Sequence, residues 1–175
     1  PGGACKVVYA QDFAATDNAR DDNGHGTNVA GIVLGVAPQA KIAALDVFRT
    51  DGYAYTSDII NAINWCVTNK ATYNIAAINM SLGGGKYTAA VNPIDSWGVA
   101  IQRAVNAGIM VVASAGNDGY TNGMGTPAAY SNVVSVGAVY DANLGGISWG
   151  SCTDSTTAAD KITCFSDSAS FLTML

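Results

Sequence analysis

Near-continuous apolar runs that alternate with helical periodicity constrain this chain more than any other feature. The runs are residues 41–48 (KIAALDVF), 75–81 (IAAINMS), 109–114 (IMVVAS) and 133–139 (VVSVGAV). Runs of this kind, without strict polar alternation, predict strands buried on both faces, as in a parallel sheet. Between them, 57–69 carries Ile59, Ile60, Ile63, Cys66 and Val67 at helical spacing, with Thr56 or Ser57 as N-cap. Residues 94–106 repeat the pattern through Trp97, Ala100, Ile101, Ala104 and Val105, with Gly108 as a stop. Strands separated by helices predict an α/β fold: a mostly parallel, doubly wound sheet in three layers with helices on both sides.

The 175 residues suit one domain rather than two, large enough for a sizeable core. Disorder is excluded by a mean hydropathy of +0.21 and a modest net charge of −5. The 8 basic residues never neighbour one another and face 13 acidic ones, which argues against nucleic acid and anionic membrane surfaces. No apolar run approaches the ~20 residues of a membrane-spanning helix, and no secretory leader is visible. The polar stretch from Gly145 reads as a surface loop (SCTDSTTAADKITC), returning to a strand near 161–165.

Doubly wound sheets carry their sites beyond the carboxyl ends of the strands. That directs attention to the strand exits at 81–85 and 115–119. Neither holds a phosphate loop: the run Gly83-Gly84-Gly85 leads to Lys86-Tyr87, without the later glycine and Lys-Ser/Thr such a loop needs. A nucleotide-binding domain is therefore disfavoured.

The segments DDNGHGTNVAG (21–31), INMSLGG (78–84) and VASAGNDG (112–119), in this order and on the expected elements, together resemble the subtilisin-like serine proteases. The first is Asp21-Asp22-Asn23-Gly24-His25-Gly26-Thr27-Asn28-Val29-Ala30-Gly31. The resemblance puts the catalytic histidine at His25, a general base at a helix start. Gly24 and Gly26 let the backbone crowd the imidazole, and Val29, Ile32 and Val33 are expected to bury the helix behind it. Asp12, Asp17, Asp21 and Asp22 read as a solvated turn that complements the helix dipole rather than as cation ligands. The second segment, Ile78-Asn79-Met80-Ser81-Leu82-Gly83-Gly84, resembles the strand that pairs with an extended substrate, at Ser81, Leu82 and Gly83. The third is Val112-Ala113-Ser114-Ala115-Gly116-Asn117-Asp118-Gly119. There the resemblance makes Asn117 the amide donor to the oxyanion. It makes Ser114, Ala115 and Gly116 the wall of the pocket for the residue before the scissile bond. It also implies a cis bond at Thr126–Pro127.

The departures matter equally. The family's triad runs Asp, His, Ser, with its aspartate about thirty residues before the histidine in an Asp-Ser/Thr-Gly motif. Only 24 residues precede His25, and neither that motif nor a Gly-Thr-Ser-Met-Ala nucleophile motif occurs. The expectation is a domain truncated at both ends, inactive alone, with exposed apolar surface and a requirement for its missing parts in trans. Asn28 stands where a second histidine is common, and the short 31–41 connection lacks a calcium-binding insert, so no metal and no cofactor is implied. The substrate would be a polypeptide. The alternative is a non-catalytic peptide-binding module on the same fold.

Four cysteines (Cys5, Cys66, Cys152, Cys164) allow three full pairings, and none has metal-ligand spacing with the single histidine. Cys152 and Cys164 are expected to bond if the protein is secreted, the location that the resemblance implies. Cys66 reads as a small buried hydrophobe.

Overall fold

The computed structural model describes residues 5–14, 21 and 24–175. The chain divides into two compact units, residues 1–65 and 66–175. Asp17 and Asp22 of the acidic segment lie outside the described residues.

The first unit begins with β1 (Val7–Asp12), followed by α1 (His25–Val36), β2 (Ile42–Asp46) and the start of α2 (Thr56–Tyr73). Strands β1 and β2 pair in parallel across the α1 crossover, with a register shift between Val7 and Tyr9. The alternating sequence thus forms a β–α–β unit, but β1 itself arises from VVYAQD, a segment whose polar ending masks its strand character. Helix α2 buries Ile59, Ala62 and Ile63 along the face that its spacing predicts. Trp65 is half-buried and stacks on Tyr9 with ring centroids 4.3 Å apart. Arg49 bonds the Asp58 carboxylate at 2.9 Å in the first turn of α2 and lies over the Tyr55 ring at 4.1 Å.

Helix α1 departs from expectation. None of its residues is buried: Ile32 is 62% exposed and Val36 is 85% exposed. An apolar sequence makes this helix, but a two-stranded pair is too narrow to cover its sides.

In the second unit, the end of α2 is followed by β3 (Ala77–Met80), β4 (Gly84–Tyr87), α3 (Ser96–Asn106) and β5 (Met110–Ser114). Then come β6 (Met124–Thr126), β7 (Val134–Val136), β8 (Ile147–Ser148) and β9 (Thr153–Asp154). The central sheet has the order β3-β5-β7 and is parallel throughout. Antiparallel pairing is confined to β4 with β6 and β8 with β9.

Helix α3 packs on β5 through Ala100, Ile101 and Ala104, all within 1% of complete burial. Full burial of one such isoleucine contributes about 1.5–3 kcal/mol. The helix starts two residues later than its periodicity suggests, because Asp95 accepts the amide of Gly98 as N-cap and also holds the Tyr130 hydroxyl at 2.8 Å. Burial of that hydroxyl beside Asp95 pushes its pKa far up. Along β5, Val111 and Ala113 are buried while Met110 is 58% exposed. Burial on both faces is therefore not realised at the start of this strand.

The polar C-terminal loop is more ordered than its composition suggests. Cys152 and Cys164 are disulfide-bonded, and β8–β9 form a short hairpin. Buried Asp154 accepts from the Cys164 amide at 2.8 Å and the Tyr140 hydroxyl at 2.9 Å, and pairs with Lys161 at 3.0 Å. The Cys164 amide above all, then Lys161 and Tyr140, hold this carboxyl below the usual range. Its stabilisation is thus present at neutral pH and lost as acid protonates it. The strand expected near 161–165 does not form; one bridge, Val139 with Ile162, is all that remains. Beyond that bridge Thr163 N–H reaches the Ala138 carbonyl, but the Ala138 amide that would complete the pair bonds the Ser166 hydroxyl instead, at 2.9 Å.

Replacing both Cys152 and Cys164 with serine is expected to cost on the order of 3 kcal/mol, from release of a loop with a sequence separation of 12. The midpoint of urea unfolding, followed by Trp149 fluorescence, reads this loss.

Candidate active site

His25 opens α1, preceded by Gly24 in the left-handed region at φ 78°. Helix starts leave amides unpaired, and here Asp21 supplies the acceptors: one carboxylate oxygen takes Gly24 N–H at 2.9 Å, the other Thr27 N–H at 2.5 Å. Of the described members of the acidic segment, Asp21 thus complements the helix by direct bonding, whereas Asp12 ends β1 and accepts the Ala14 amide at 2.7 Å. His25 is exposed and meets the Phe48 ring edge-on, with centroids 5.8 Å apart.

The remaining candidates belong to the second unit. Because β3 and β5 are parallel neighbours, both chains leave the sheet at the same end. That end holds Ser81, Leu82 and Gly83 after β3, and Ser114, Ala115, Gly116 and Asn117 at the end of β5. The Ser81 hydroxyl accepts from the Asn79 side chain at 3.0 Å. Position 83 has no room for a side chain: at φ 153° a Cβ would collide with the Thr126 carbonyl oxygen. Just beyond, Gly84 pairs with Thr126 in the β4–β6 ladder, a pairing hidden in so glycine-rich a sequence. Thr126–Pro127 is cis.

The β5 exit is tied down on several sides. Ala115 donates its amide to Val136 and accepts Gly125 N–H at 3.0 Å. Gly116 N-terminal to the turn has φ 127°, and Asn117 is exposed. Behind the turn lies Asp167, wholly buried, a residue that no sequence motif had singled out. One of its carboxylate oxygens accepts from Asp118 and Tyr120. Burial pushes the Asp167 carboxyl up, opposed by the Tyr120 and Asp118 amides, while the nearby Asp118 charge adds to the rise. Among the described residues no cluster of three or more His, Cys, Asp or Glu side chains could hold a metal ion.

What this geometry offers chemically is an imidazole on a capped helix start in one unit. The other offers an open strand exit beside an exposed carboxamide. Similar proteins give it a context. Residues 4–170 match the model of the Subtilase family. Subtilisin E of Bacillus subtilis (strain 168) is 39% identical over 140 residues, 73% of this chain and 34% of that protein. Minor extracellular protease Epr of the same organism is 34% identical over 151 residues, covering 81% of this chain and 21% of its own length. A crystal structure of a cold adapted subtilisin-like serine proteinase superposes with a TM-score of 0.72 at 27% identity, over 97% of this chain and 54% of that one. The chain thus spans about a third of Subtilisin E. Its α/β architecture with a parallel sheet is that of these proteinases. This chain belongs to the subtilase family.

Proposed function

We propose that this chain is the central part of a subtilisin-like serine endopeptidase domain. Its triad Asp and Ser would come from chain beyond the 175 residues. His25 is the general base: its imidazole takes the proton from the serine hydroxyl as that oxygen attacks the scissile carbonyl carbon. The carbonyl π electrons move onto oxygen, where the Asn117 amide donates a hydrogen bond. Collapse breaks the C–N bond, and the same imidazolium returns its proton to the departing amine. Water then repeats the sequence on the acyl-enzyme, and no cofactor takes part.

Ser81, Leu82 and Gly83 would add the polypeptide substrate as an extended strand. Ser114, Ala115 and Gly116 would wall the pocket for the residue before the scissile bond. The observation that carries this reading is the parallel pairing of β3 and β5, which delivers both segments to one end of the sheet. An extracellular location is supported by the Cys152–Cys164 disulfide. The name of Minor extracellular protease Epr supports it too. Among the described residues no helix is long and apolar enough to cross a membrane.

The test is a serine-directed fluorophosphonate probe applied to the full-length gene product, with residues 1–175 alone as the unlabelled control. Labelling is expected for the former; absence of labelling together with retained peptide binding would establish a non-catalytic module instead. In the unlabelled full-length enzyme, Asn117→Ala should lower kcat about 10²–10³-fold with little change in KM, the loss known for this donor in subtilisin. Steady-state hydrolysis of a peptide anilide measures it.

A further inference from the structure

We propose that Asp167 is a positioning residue for the oxyanion donor, clamping the 116–120 turn so that Asn117 projects from it. The inference rests on the reading of Asn117 given above. Segment 165–168 grips the turn from behind. Asp167 donates its own amide to the Gly116 carbonyl at 3.1 Å, just before Asn117. Its carboxylate accepts from Asp118 at 3.0 Å and Tyr120 at 2.8 Å, just after it. Gly119 donates to the Phe165 carbonyl at 2.8 Å, and the Tyr120 carbonyl accepts from Ser168 at 2.7 Å. Within the turn, Asn117 alone makes no hydrogen bond to this segment, and it is exposed, as is Asp118, while the Asp167 carboxyl is wholly buried.

The fit is close. A Cβ on Gly116 would stand 2.1 Å from the second Asp167 oxygen, which itself accepts no hydrogen bond. A buried carboxyl oxygen without a partner is costly, so simple filling of space would favour an apolar side chain. What the geometry uses is one oxygen that receives two amides 47 and 49 residues away in sequence. Accepting capacity, not charge, is therefore the working property, in keeping with the upward push on this carboxyl.

Two measurements on the full-length protein test this. Amide exchange over 115–123, read by mass spectrometry, should rise about tenfold or more in Asp167→Ala and stay near wild type in Asp167→Asn. Unchanged protection in Asp167→Ala overturns the clamp. For hydrolysis, Asp167→Ala should lower kcat about 10–30-fold with KM within about twofold, and add less than about threefold in an Asn117→Ala background. Equal losses in both backgrounds mean a general structural role and overturn the proposal. Should Asp167→Ala fail to fold, Asp167→Asn decides: a kcat loss of about tenfold or more in the folded variant overturns it. If Asn117→Ala itself leaves kcat unchanged, the reading of Asn117 fails. The exchange measurement needs no activity and keeps that failure distinct.

Discussion

His25→Ala in the full-length protein is expected to remove peptide hydrolysis almost completely while leaving the fold intact. The second half of that expectation comes from the local geometry. At the start of α1 the backbone amides of Gly24 and Thr27 bond to Asp21, and alanine at position 25 leaves both of these backbone donors in place. Alanine is also the best helix former, so its placement at the first helical position costs nothing in propensity. The loss should therefore be chemical. Without a base the serine hydroxyl keeps its proton, and kcat should fall by about 10⁶, the size known for the equivalent change in subtilisin. Hydrolysis of a peptide anilide and fluorophosphonate labelling should vanish together, with an unaltered circular dichroism spectrum and melt. Activity within about tenfold of wild type would remove His25 from the chemistry.

Gly116→Ala is expected to be strongly destabilising. Two costs combine there. At φ 127° the backbone is strained for any residue with a Cβ, and the new methyl would collide with the Asp167 carboxylate. Strain of about 1–2 kcal/mol and overpacking of about 1–3 kcal/mol suggest a loss of about 4 kcal/mol. Gly24→Ala supplies the comparison: its φ is also positive, at 78°, yet among the described residues no neighbour beyond those adjacent in sequence comes within 4 Å of its Cβ position. It should lose only the backbone part, about 1–2 kcal/mol. Chemical denaturation of both variants reads the difference. Losses of equal size would mean that the Gly116–Asp167 contact is not tight in solution. Shortening Asp167 to alanine in the Gly116→Ala protein should recover part of the stability, because the two changes meet at one contact.

Much of this molecule was legible in one dimension because its elements are defined by period and composition. The spacing of Ile59, Ile63 and Cys66 identified the buried face of α2, and that of Ala100, Ile101 and Ala104 the face of α3. Apolar runs identified β2, β3, β5 and β7, and the helix between β3 and β5 implied their parallel pairing. The Gly-His-Gly and Ala-Gly-Asn motifs pointed to the family because each is local: neighbours along the chain carry it.

The interior arrangement was decided elsewhere. Nothing in the pattern VAGIVLGV separates a covered helix from an uncovered one, so the exposure of Ile32 and Val36 had to come from the width of the sheet beneath α1. Nothing about Asp167, in FSDSAS, marks it as buried, since carboxylates are ordinarily on the surface. Its burial becomes tolerable only when folding brings the amides of Asp118 and Tyr120 to it across nearly fifty residues. The same holds for Asp154, whose partners lie at 140, 161 and 164. Local propensity and periodicity, being properties of adjacent residues, determined which segments are helices and strands and which family they resemble. Long-range hydrogen bonds to buried carboxylates depend on where distant backbone amides end up, and only the tertiary structure could decide them.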